Sequence, residues 1–451
     1  MSKPEITGQL SPEWRPYTKI VFRFFFVYFL IQTVPLDWKY YAQVFSINWA
    51  ALRYEDIFNL AHYQPQFLSG TQSFGNWGIA AFIALAGTFI WTYADHNRTK
   101  DYDRLYYWLR VIVRYRLAIG IIAYGFIKFF PLQAPYPSIS NLNTHYGDFT
   151  RWKLFSLSLG VVPSYELFLG LVEILAGLLL FYRKTASIGA LIIVFFTGNV
   201  FVSNLAYEGG EYVYSFYLIS LALFVLVYDI RRLADLLVWQ RPATPNRFRI
   251  VFHGRYKYAR WLLKGAFIFF FVVLYGFKTG AGYRHDPYQF PQGKGLSAAS
   301  GIYNVTTFRI NNDTLPYSKT DPVRWQDVVF EQWPTISVRT NTPVIIDSNN
   351  VEKVAAAKDI DKTYEAEGTN ERSYYDYKAD TVNHVLTLLN KNVHYKGESL
   401  LLHYDRPSAS RIILSGIDQH KDSIYVVLDR IDKKYLLEEA AKEGRGRGLK
   451  L

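Results

Sequence analysis

The apolar positions of this chain fall into two textures. Before about residue 280 they come as long uninterrupted runs; beyond it they come as short alternating stretches broken by Asn, Asp, Gly and Pro. About 18 or more apolar residues in a row match the hydrocarbon thickness of a bilayer at roughly 1.5 Å per helical residue. About seven runs meet this reading, at 19–35, 78–94, 109–130, 163–182, 185–206, 214–228 and 261–278, and predict transmembrane helices. From about Gly282, "YNVTTFRINND", "VRWQDVVFEQW", "TISVRTN", "ERSYYDYKAD", "NHVLTLLN", "SLLLHYDR", "RIILSGID" and "SIYVVLDRID" read as strands, the last two as a hairpin. Short strands at steady spacing predict an all-β domain, a closed meander barrel or a sandwich. A small barrel is either filled by side chains or holds a lipophilic ligand. The stretch from Asp347 to Arg372 reads as a long loop or short helix, and the tail from Lys433 ends in a frayed Gly/Arg segment.

The fold class is therefore a polytopic α-helical membrane protein with a C-terminal all-β domain. The expected division is a two-helix region over 1–107, a four-helix membrane bundle over 108–232, a basic loop and last span over 233–280, and the β-domain over 281–451. The N-terminus lacks the apolar run and cleavage site of a signal peptide, so the first helix reads as an uncleaved membrane signal.

Charge then sets orientation. The net charge of +12 is concentrated in "DHNRTKDYDRLYYWLR", in Arg183–Lys184 and in the loop from Arg231 to Arg260, which share one side if there are seven spans. Lys and Arg favour the cytoplasmic side. The expectation is an N-terminus in the cytoplasm and a β-domain outside, in a bacterial inner membrane. Topology accounts for the basic charge, which argues against nucleic acid as a partner. The expected partners are the bilayer and other membrane or envelope proteins.

The 451 residues include no cysteine, which excludes thiol catalysis, thiolate metal sites and disulfides. None of the nine histidines falls in a predicted span, against a haem held by two histidines at bilayer depth. His384, His394, His403 and His420 lack metal-ligand spacing, so no metal site is expected.

Ionised groups inside a membrane cost on the order of 2.5–3.5 kcal/mol and normally face a partner or a wet cavity. In "PSYELFLGLVEILAGLLLFYRK", Glu166, Gly170, Glu173 and Gly177 follow steps of four, three and four, which puts them on one helix face. Glycines admit a neighbouring helix or a flat ligand, so Gly170 and Gly177 are candidate helix-contact positions. By depth, Glu173 lies near the midplane with Arg116 of the preceding helix as its expected counter-charge, and Lys128 is level with Glu166. The candidates for ligand binding or proton relay are Glu173, Arg116, Tyr124, Glu166, Lys128 and Asn199. The alternative is a buried helix–helix pair that specifies packing alone.

The block "RLAIGIIAYGFIKFF" followed by "FLGLVEILAGLLLFYRKTASIGALIIVFF" resembles the DoxX-like family of four-helix membrane proteins, through Lys128, Phe129, Glu173, Gly177, Arg183 and Gly189. The resemblance covers about residues 116–229. It implies a membrane subunit accessory to a redox or envelope complex, with a quinone as the candidate cofactor, although none is evident from the residues themselves. A non-enzymatic anchor presenting the β-domain to a protein or lipid partner is the second reading, and a transporter the third. The sequence leaves open whether the chain is an enzyme.

Overall fold

The computed structural model describes residues 5–7, 14–68, 73–95, 102–243, 249–347, 350 and 352–443. The expected Gly/Arg tail from residue 444, and parts of the N-terminal stretch and of the basic loops, lie outside the described residues. The chain divides into two compact units, 1–130 with 167–282 and 352–354, and 131–166 with 283–351 and 355–451.

The first unit is helical. It holds α1 (Pro16–Thr33), α2 (Trp38–Ser46), α3 (Tyr54–Ala61), α4 (Phe74–Ala94) and α5 (Asp103–Phe129). Most of α8 (Pro163–Leu180) follows, then α9 (Ala186–Ala206), α10 (Tyr212–Val227), α11 (Ile230–Leu237), α12 (Arg255–Ile268) and, after a π-helical stretch at Phe269–Leu274, α13 (Tyr275–His285). Two three-residue strands, β1 (Glu5–Thr7) and β2 (Arg249–Val251), pair antiparallel.

Local sequence sets the helix starts. The Asp37 carboxylate accepts the Tyr40 amide at 2.8 Å to begin α2, Ser73 accepts the Gly75 amide to begin α4, and Pro163 begins α8, where its missing N–H is no loss.

All seven expected spans are helical. Among the described residues five helices are long and apolar enough to cross a membrane: Pro16–Ser46, α4, α8, α9 and Arg255–His285. A sixth is reached if α10 and α11, bent by 75°, count as one. The 27-residue α5 carries Arg104, Arg110, Arg114, Arg116 and Lys128 and is not among them.

On α4, Asn76, Ala80, Ala84 and Thr88 are buried at steps of four, while Phe82, Phe89 and Ile90 are more than 70 % exposed. Small and polar side chains inside with large apolar ones outside invert the arrangement of a water-soluble helix, and suit packing in lipid.

The second unit is an antiparallel barrel. Its strands are β3 (Gly301–Ile310), β4 (Asp313–Thr314), β5 (Asp327–Phe330), β6 (Thr335–Arg339), β7 (Arg372–Asp380), β8 (Val385–Asn390), β9 (Ser399–Ser408), β10 (Arg411–Asp418) and β11 (Ser423–Arg430). Neighbours pair in order from β5 to β11, β3 pairs with β5, and β11 pairs with β3 through Val426 opposite Phe308 and Leu428 opposite Val305, which closes eight strands into a barrel. β4 is a short addition to β3. The expected strands and the final hairpin are all present, and the barrel alternative holds over the sandwich.

The barrel interior is filled. Tyr303, Phe308, Phe330, Tyr377, Leu402, Leu414 and other buried side chains form one continuous apolar core. Alternation then turns Asp327, Ser337 and Arg372 outward, yet these are buried too. What packs against them is the 131–166 segment, with α6 (Ile139–Leu142) and α7 (Arg151–Gly160), together with the long β6–β7 connection. The short α14 (Leu436–Glu443) follows β11.

Candidate functional site

The glycine–carboxylate face of α8 is closed by protein. A Cβ on Gly170 would overlap the backbone of Gly125 and Phe129 on α5, and one on Gly177 would overlap Ile122. Lys128 Nζ, on the same face of α5 as Gly125, donates to Glu173 Oε1 at 2.5 Å, with both residues buried.

The expected Glu173–Arg116 pair does not form. Gly125 lies against Ile174 and Gly170, and Ile122 against Gly177, so Glu173 stands about level with Gly125, roughly 4.5 Å along the axis from Lys128 but roughly 13 Å from Arg116. The two basic residues also leave α5 about 120° apart around its axis. Lys128 lies on the α8 side and Arg116 on another.

That other side is a stripe of Arg116, Gly120 and Tyr124, spaced by four. Gly120 lets Tyr214 of α10 approach, since a Cβ there would stand 2.7 Å from its hydroxyl. Tyr124 donates to Glu211 Oε2 at 2.9 Å and lies 3.2 Å from His62 Nε2. The imidazole also packs against the Tyr214 ring with centroids 4.0 Å apart.

Burial first, and the Arg116 charge second, lower the His62 pKa to about 3, so the ring is neutral at physiological pH. Because the Tyr124 hydroxyl has one proton and gives it to Glu211, the hydrogen-bond pattern assigns His62 the Nε2–H tautomer, donating to the Tyr124 oxygen. The result is an ordered chain from His62 through Tyr124 to Glu211.

Arg116 occupies the middle of α5 and is 8 % exposed. Nη1 donates to the Leu60 carbonyl at 3.3 Å, and the guanidinium lies 4.8 Å from the centre of the Tyr63 ring. It also interacts with the hydroxyls of Tyr40 and Tyr217 and is within electrostatic reach of His62 and Tyr214. Among the described residues no carboxylate pairs with it, and Nη2 has no hydrogen-bond partner. The Tyr214 hydroxyl is likewise buried and unpartnered. Gln32 is tied to the cluster by its carbonyl, which accepts from Tyr217 at 2.8 Å. Buried polar groups are nearly always satisfied, so an orphaned hydroxyl beside one uncompensated cation marks a place built for something other than packing.

The chain matches no family model, no curated protein and no solved structure.

The remaining predicted residues lie apart from this cluster. Glu166 accepts the Ala134 amide at 3.0 Å, and Asn199 is on the exposed side of α9 with no hydrogen bond. The sequence reading missed Gln32, His62, Tyr63, Glu211, Tyr214 and Tyr217. Tyr214 and Tyr217 share a helix face with Glu211 at the head of α10, which is a readable signal; nothing local marks His62.

The second unit carries its own buried polar chain. Arg372 Nε donates to Ser337 Oγ at 2.9 Å, the two serine hydroxyls of Ser337 and Ser140 are 2.7 Å apart, and Ser140 donates to Glu331 Oε1 at 2.6 Å. Lys391 pairs with Glu365 at 2.9 Å with both side chains fully buried. Burial first, then the Glu365 charge, raise Glu331 to about 7. Burial lowers Lys153 to about 7, and its ammonium donates to the Tyr364 carbonyl. On the surface, His145, Asp148 and Glu371 bring ligand atoms within 4.8 Å of one another, but Glu371 already receives Arg339 at 3.4 Å.

Proposed function

We propose that the chain is an integral membrane protein whose helical unit binds the polar head of a membrane-borne lipophilic ligand, a quinone or another lipophilic molecule, around Arg116 and Tyr124. In this reading it is an accessory subunit of a redox or envelope complex in a bacterial inner membrane, with a cytoplasmic N-terminus and an extracytoplasmic barrel. The exposed apolar faces of the long helices support insertion, the distribution of Lys and Arg supports the orientation, and the DoxX-like resemblance supports the redox association.

One observation carries the binding reading: the Arg116 guanidinium is buried at the middle of α5 with no carboxylate partner and an unused donor. A charge held this way is unfavourable unless something else answers it. Tyr214 adds a neutral donor, and the His62–Tyr124–Glu211 chain adds a path for a proton. The test is purification of the full chain in a mild detergent, with mass spectrometry of extracted lipids. A lipophilic species should accompany the wild type and be lost from Arg116→Gln. Purification of both proteins with the same species, or with none, counts against the reading.

A non-enzymatic anchor is the alternative, favoured by the filled barrel interior, which leaves that unit no internal ligand space. It requires partner capture to disappear when the chain is cut after Gly282, and to persist in Arg116→Gln.

A further inference from the structure

We infer that the ligand of the Arg116 site carries an anionic oxygen head on an apolar tail, so that the site takes an amphiphilic carboxylate or phosphate. This rests on the binding reading above and narrows it to one charge class.

Two carboxylates that act on the tyrosines of this cluster, Glu211 and Asp37, each hold a hydrogen bond of their own. Glu211 accepts from Tyr124. Asp37 caps α2 by accepting the Tyr40 amide. The described groups shown to interact with Arg116 are tyrosines, a neutral imidazole and a backbone carbonyl. The unsatisfied atoms beside it are donors: Arg116 Nη2 can only donate, and the Tyr214 hydroxyl can donate as well. A cation with converging donors is complementary to an oxyanion, and charge-assisted hydrogen bonds to such an anion are roughly twice as strong as neutral ones. A neutral carbonyl head would leave the guanidinium charge unanswered.

The experiment uses the full chain in detergent and equilibrium binding of four probes: oleate and farnesyl phosphate, with their neutral counterparts oleyl alcohol and farnesol, plus decylubiquinone as a neutral quinone. At least one anion should bind about tenfold or more tightly than its alcohol. Arg116→Gln should remove that preference, and Tyr214→Phe, which keeps the ring and deletes only the unpartnered hydroxyl, should weaken anion binding roughly three- to tenfold. Which anion wins decides between a carboxylate and a phosphate head. If Arg116→Gln does not fold, Tyr214→Phe decides alone. Alcohols binding as well as the anions, or anion binding untouched in the folded variants, overturns the inference. Arg116-dependent binding of decylubiquinone alone overturns it while leaving the binding reading intact; no binding of any probe overturns both.

Discussion

Lys128 and Glu173 meet at 2.5 Å where Gly125 of α5 and Gly170 of α8 bring two helix backbones together. The pair depends on that approach, because only small residues at the crossing let a lysine reach a carboxylate across it. Breaking one side of a buried ion pair strands the other charge, which costs about 3–5 kcal/mol. Lys128→Met and Glu173→Gln should each lower the melting temperature in detergent, and the double variant should lose much less than the sum. Additive losses would show that the two side chains are not coupled.

Gly170→Leu should also lower the melting temperature. A Cβ at this position already meets the Phe129 and Gly125 backbones, which cannot swing aside as a side chain can. Overpacking of this kind costs typically about 1–3 kcal/mol and often more against backbone. Gly198→Leu on α9, where nothing lies within 4 Å of the added Cβ, is the control; equal melting temperatures for the two would contradict the close α5–α8 crossing.

Stability of the barrel unit should pass through a minimum near neutral pH. Glu331 is raised from 4.5 to about 7, so its proton is held more tightly in the fold; its contribution is full below about pH 4.5 and is lost as pH rises through 7. Lys153 is lowered from 10.5 to about 7. Its contribution is full above about pH 10.5 and is lost as pH falls through 7. Hydrogen exchange of barrel amides in the full chain, followed from pH 5 to 10 after correction for the intrinsic rate, should show both limbs. Glu331→Gln should flatten the acid limb and Lys153→Met the alkaline one. A monotonic profile in the wild type would refute the opposed shifts.

Leu402→Ala, in the middle of the packed barrel interior, should destabilise that unit by about 2–5 kcal/mol. The readout is loss of exchange protection along β8, β9 and β10, which pair around it. Leu401→Ala on the outward face, 46 % exposed, should change little. Similar effects at both positions would argue against a filled interior.

Much of this architecture is legible without coordinates. Long apolar runs against alternating ones separate helices from strands, because the period of hydrophobicity follows backbone geometry residue by residue. The carboxylate–glycine face of α8 follows from spacing alone. The partner of Glu173 does not: which residue of α5 stands level with it, and on the facing side, depends on where the two helices cross, and that crossing is not local information. Lys128, not Arg116, is therefore a tertiary result.

The same distinction separates the two polar sites. The sequence by itself determines that Arg116 is an expensive residue in an apolar helix, since one buried charge costs the same whichever helix surrounds it. Packing alone decides that His62, Glu211, Tyr214 and Gln32, drawn from three separate stretches of the chain, surround it or stand beside it, and that no described carboxylate neutralises it. Likewise the alternation of the strands determines a sheet with one apolar face, while closure of β11 on β3 decides that this face becomes a filled barrel interior, because closing a sheet depends on a pairing between residues more than a hundred positions apart.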